Sequence, residues 1–242
     1  MNSESLLKPS PLIPASRPEI IQSLIDGVDR YNPDNVSILE EYLGTQLNTE
    51  DYDLMANLAI LKLFINRTSS NSNNRYQFNP HLVNEQVINN ILVKSLTAIP
   101  NPDFNLCLYL LHENANVAKL VELQQLLEEC KYQEFWKVYE SDDSYKELTS
   151  DAIGFEDAIR KVILTSISMT YQSISAELLS SYLNLSISDE EFDSVIQSRN
   201  LVNKEGIVLV PTNYDNEAKP TVIRENIKFE QLTKVIGYSN EL

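Results

Sequence analysis

Apolar positions recur at helical spacing along most of this chain, broken by polar turns. Ile20, Ile21, Leu24, Ile25 and Val28 form a first helical stripe that stops before the Tyr31-Asn32-Pro33-Asp34-Asn35 turn. A second helix is predicted over about Val36 to Leu47, with Leu39, Tyr42, Leu43 and Leu47 inward, and a third over roughly Tyr52 to Ile65. Val83, Val87, Ile88, Ile91, Leu92 and Leu96 mark a fourth, which Ile99-Pro100-Asn101-Pro102 breaks. Asp103 caps a helix through Leu111, and helices over about Val117 to Cys130 and Tyr132 to Tyr139 follow. Paired helices joined by short polar turns predict a helical-repeat stack, although no strict period is present.

From Phe155 the pattern changes. A helix to about Tyr171 precedes one capped by Ser175 and ending near Asn184. Ser188-Asp189-Glu190-Glu191 reads as a capping box opening a third helix to Arg199. Leu201-Val202, a turn at Lys204-Glu205-Gly206 and the β-branched run Ile207 to Val210 then predict a hairpin. Three short helices and a hairpin outline a winged helix. Phe229, Leu232 and Ile236 share one face of a last helix, a candidate protein interface. That face either meets a partner or packs back on the winged helix. The fold class is therefore mainly α: 1–18 a flexible, proline-bearing tail, 19–154 a helical-repeat domain, 155–228 the winged helix, and 229–242 a terminal helix and tail. Within the first domain, Asn66 to Arg75 (NRTSSNSNNR) holds no apolar side chain and predicts a disordered insert.

Charge narrows the function classes. Asp and Glu number 35 against 19 Lys and Arg, a formal net charge of -16, which repels phosphate backbones and anionic lipid. The candidate recognition helix sets Asp189, Glu190, Glu191 and Asp193 against Arg199 alone, the wrong sign for a duplex reader. Lys204, Lys219, Arg224 and Lys228 are interleaved with acids, so direct RNA contact is expected to be weak or absent. Protein docking, including strand addition at the edge of the small sheet, is the expected use of the module.

Chemistry is not specified. The five glycines are too dispersed for a phosphate loop. His81 and His112 stand in separate elements, and neither Cys-x-x-Cys nor His-x-x-x-His occurs. Cys107 and His112 read as a buried thiol and a turn histidine. No catalytic, cofactor-binding or metal-binding residue is expected, and no cofactor. Two cysteines, no start resembling a signal peptide and no run of roughly 20 apolar residues predict a cytoplasmic protein without membrane contact.

An ordered set of segments carries a family resemblance. Gly27-Val28-Asp29-Arg30-Tyr31-Asn32-Pro33-Asp34-Asn35 and Tyr52-Asp53-Leu54-Met55-Ala56-Asn57-Leu58-Ala59-Ile60-Leu61-Lys62-Leu63 come first. Tyr76-Gln77-Phe78-Asn79-Pro80, Asp103-Phe104-Asn105-Leu106-Cys107 and Phe135-Trp136 follow. Gly154-Phe155-Glu156-Asp157-Ala158-Ile159-Arg160-Lys161 and Thr170-Tyr171-Gln172 complete it. Together they resemble subunit k of eukaryotic translation initiation factor three, one of the small PCI-type subunits. The resemblance spans about residues 20 to 236; the 66–75 insert and the long tail depart from the family. It implies a HEAT-like helical domain followed by a winged helix, and a non-catalytic scaffold role in 40S preinitiation complex assembly. It also implies partners among the other subunits of the factor, especially subunit l, and contact with the 40S ribosomal subunit through the complex. The alternatives are a small PCI-type subunit of the proteasome lid or signalosome, and a winged-helix nucleic-acid regulator.

Overall fold

A computed structural model describes residues 13–66, 77–78, 84–111, 114–218 and 228–240. Helices dominate these residues: α1 (Glu19–Asp26), α2 (Val36–Asn48), α3 (Leu54–Phe64), α4 (Glu85–Leu96), α5 (Asp103–Leu108), α6 (Ala115–Glu128), α7 (Tyr132–Ser141) and α8 (Asp143–Thr149) pack on one another, α2 on α3, α4 on α5 and α6, and α7 on α6 and α8. α2 buries one stripe, with Leu39, Tyr42, Leu43 and Leu47 turned inward, whereas α3 and α4 are buried on most of their faces. Asn84 and Asn114 accept backbone N–H bonds from Gln86 and Val117 and so cap α4 and α6.

The second half is a winged helix with its strands in place. α9 (Phe155–Thr170) leads to strand β3 (Ser173–Ser175), then α10 (Ala176–Leu183), α11 (Glu190–Ser198), and strands β4 (Val202–Lys204) and β5 (Ile207–Leu209). The antiparallel order is β3-β5-β4, with β5 central. Ile174 and Val208 pair across the ladder and both point into the core. Glu205 and Gly206 form the two-residue turn with φ of 52° and 85°, the left-handed pair that a right-twisted hairpin selects. One apolar cluster runs unbroken from Ile21 to Val210, joining stack and winged helix.

Several expectations are corrected. Val28 is exposed because α1 ends at Asp26 and Val28 starts a 3-10 turn (Val28–Tyr31), and Ile20, in the first turn of α1, lies off the buried face of Ile21, Leu24 and Ile25. The capping box does not form: Asp189 is the N-cap of α11 and its carboxylate accepts from Ser186 N instead. Helix α8 and strand β3 were not foreseen. Asp142 caps α8, its Oδ1 accepting from Ser144 N at 2.9 Å, while three residues alternating Ser-Ile-Ser are too short for a periodic signal.

The sequence assigns Arg17 to a flexible tail, but its side chain and that of Asp53 are 2% and 1% exposed. Arg17 Nε and Nη2 donate to Asp53 Oδ2 and Oδ1 at 2.6 and 2.7 Å. A buried guanidinium so paired cannot swing free. Residues 1–12 lie outside the described set, as does the insert except for Asn66. That residue stands in a two-residue strand, β1 (Ile65–Asn66), paired with β2 (Gln77–Phe78).

Candidate interaction surfaces

The candidate interface helix is α12 (Phe229–Asn240), four residues longer than its sequence pattern predicts. Gln231 Oε1 accepts from Lys228 N, and Lys228 O accepts from Gln231 N, which closes its first turn. Leu232 and Ile236 are 43% and 55% exposed, and Val235 beside them is more exposed still. The stripe is thus uncovered, and the structure does not fold Leu232 and Ile236 back on the winged helix. The Phe229 backbone begins the helix; its side chain lies outside the described residues.

A second uncovered surface is the outer face of the small sheet. Val202, Ile207 and Leu209 stand outward, Val202 opposite Leu209 and Lys204 opposite Ile207. β4 and β3 are its edge strands, and an unpaired edge offers backbone donors and acceptors to an added strand. Lys204 is exposed on this face and Lys228 precedes α12, whereas Lys219 and Arg224 lie outside the described residues. On α11 the side chains of Glu190, Glu191 and Asp193 are exposed, while Phe192 and Ile196 seat the helix in the core. The outward face of the recognition helix is therefore acidic.

The winged helix is locked to the stack along α7. Trp136 Nε1 donates to Tyr182 O at 2.8 Å and Gln133 Nε2 to Ser181 Oγ at 2.8 Å. Tyr132 meets the Tyr182 ring edge-on at 5.4 Å, and Tyr139 lies 5.9 Å from Phe155. The Arg160 guanidinium sits 5.6 Å over Trp136. Arg160 Nη1 bonds Asp157 at 2.6 Å and Glu191 at 3.4 Å, and its Nε donates to Leu183 O. Phe135 and Trp136 are therefore core.

Candidate chemistry stays sparse. Cys107 is fully buried, and burial, aided by the Asp103 carboxylate, pushes its thiol up to about 12; a protonated thiol is a poor nucleophile. Cys130 is exposed. Both histidines lie outside the described residues. Among the described residues no three His, Cys, Asp or Glu side chains are grouped to hold a metal ion, and no helix is long and apolar enough to cross a membrane.

Comparison with known proteins places these surfaces in a family. The model of the CSN8/PSMD8/EIF3K family matches residues 82–222. Eukaryotic translation initiation factor 3 subunit K of Phaeosphaeria nodorum is 41% identical, over 93% of this chain and 95% of the relative. The subunit K of Botryotinia fuckeliana is 39% identical with the same coverage, and that of Mycosarcoma maydis 37% identical over 98% and 97%. A helical stack, a winged helix and full-length similarity to these relatives agree: the chain belongs to the CSN8/PSMD8/EIF3K family.

Proposed function

We propose that this chain is a non-catalytic subunit of the translation initiation factor three complex and acts as a protein scaffold in 40S preinitiation complex assembly. The observation that carries the reading is similarity to subunit K relatives along nearly the whole of both chains. Other subunits of the factor are its partners, subunit l foremost, and the 40S subunit is reached through the complex. Its place of work is the cytoplasm, and direct RNA contact is weak or absent. Residues 19–154 serve as the helical-repeat domain and 155–228 as the winged helix, with α12 as the docking helix through Phe229, Leu232 and Ile236. The exposure of Leu232 and Ile236 supports that assignment.

Affinity purification at near-physiological salt, with mass spectrometry of the captured proteins, tests the reading. Capture of initiation-factor subunits and co-migration with small ribosomal subunits on a gradient are expected. Capture of proteasome-lid or signalosome subunits transfers the chain to another branch of the family. A monomer free of all of them defeats the proposal.

A further inference from the structure

A cleft of about 460 Å³ with no α7 residue in its lining separates stack from winged helix. Asn48, Thr49, Lys94 and Thr97 line it from the ends of α2 and α4; Lys161, Thr165 and Arg199 face them from the winged helix. Two of the cations on its walls bond to their own side. Lys94 Nζ donates to Thr49 O at 2.9 Å, where it caps the end of α2. Arg199 Nη2 donates to Thr165 Oγ1 at 3.0 Å. Among the described residues, the side-chain tie across the cleft is Lys161 Nζ to Glu50 Oε1. Those side chains are 50% and 83% exposed, so water and salt screen their attraction.

The α7 side is held by the buried aromatic seam of Tyr132, Trp136 and Tyr139 against Tyr182, Arg160 and Phe155. Between the two runs the joint, fixed where Ile153 N donates to Leu47 O at 3.0 Å. The α7 flank, although a cleft of about 500 Å³ opens there too beside Tyr139, Arg160 and Glu191, is held by buried aromatic contacts and hydrogen bonds, whereas among the described residues the first cleft is bridged by an exposed ion pair. Rotation about the seam strains the weakly tied side first.

We propose that the winged helix is hinged on the α7 seam, and that the Glu50–Lys161 pair is the latch that sets how far the cleft opens. Opening re-aims α11 and the outer face of β3-β5-β4 relative to the stack without unfolding either, which makes the angle between the two halves adjustable. The device does not depend on which complex the chain serves.

Distance measurements between paired nitroxide labels on the full chain test this, in a Cys130→Ser background. One pair, at Asn48 and Gln197, spans the cleft; the other, at Lys137 and Glu177, spans the seam. In Lys161→Ala, and in the unmutated pair at about 1 M salt, where the screening length is about 3 Å, the cleft distance is expected to lengthen and broaden. The seam distance stays fixed. The ratio of open to closed forms rises by up to about fivefold, the ceiling for one exposed ion pair. The charge swap Glu50→Lys with Lys161→Glu restores the original distribution. An unchanged cleft distance in both conditions overturns the latch. Equal lengthening of both distances overturns the hinge, since the seam would then have separated too.

Discussion

Arg17 and Asp53 stand 36 positions apart and meet in the core of the stack. Asp53 is satisfied several times over: Arg17 holds both oxygens, Tyr42 OH donates to Oδ2 at 3.3 Å, and Ala56 N donates to Oδ1 at the start of α3. Its own N–H reaches Gln46, whose side chain in turn exchanges hydrogen bonds with Asn57. Arg17→Met leaves a buried carboxylate without its cation, and stability is expected to fall by about 3–5 kcal/mol, read by denaturant melts. A thiol reagent at about pH 8 should modify exposed Cys130 quickly and Cys107 only on unfolding, because burial keeps the Cys107 proton on. Asp151 supplies a pH dependence. The side chains of Asn90 and Gln86 both donate to its carboxylate, Asn90 contributing most, and hold its pKa below the usual carboxylate value. A depressed folded pKa contributes stability that is present above the unfolded value near 3.9 and is lost as pH falls below it through the lower folded pKa. Asp151→Asn should therefore flatten the acid limb of the stability profile while changing stability little at low pH.

At the scale of elements, α12 is the clearest case of an amphipathic helix with its apolar stripe in the open. Leu232→Asp with Ile236→Asp should remove partner binding in a pull-down while the melting transition moves by no more than about 0.5 kcal/mol per site, the usual limit for exposed positions. A large loss of stability would instead mean that the helix packs on its own chain. The three principal winged-helix helices and the wing turn were legible in the sequence. Asn184 ends α10 in the left-handed region, where asparagine is tolerated, and Ser175 caps its start. Strand β3 was not legible, since its three residues become a strand only by pairing with β5, which is more than 30 residues later in the chain. The capping box failed for a related reason. Local spacing allowed Ser188 to begin α11, but Asp189 took the N-cap and Ser186 engaged its carboxylate.

For the whole molecule, the charge argument concerns what stays away. With a net charge of -16 and an acidic outward face on α11, micromolar protein should give no salt-sensitive shift of duplex DNA or RNA in a gel assay. A shift that fades with added salt would restore the nucleic-acid reading. The sequence by itself determined the helical class, the order of stack and winged helix, the acidic surface and the family, because these depend on periodicity, composition and ordered local motifs. The tertiary structure alone decided that Arg17 is anchored rather than loose and that Ile20 and Val28 face solvent. It also decided that Trp136 and Arg160 bind stack to winged helix while a cleft opens between the halves at Thr49 and Lys161. Each of these depends on which distant residues meet and which face is left uncovered, and spacing along the chain carries no record of that.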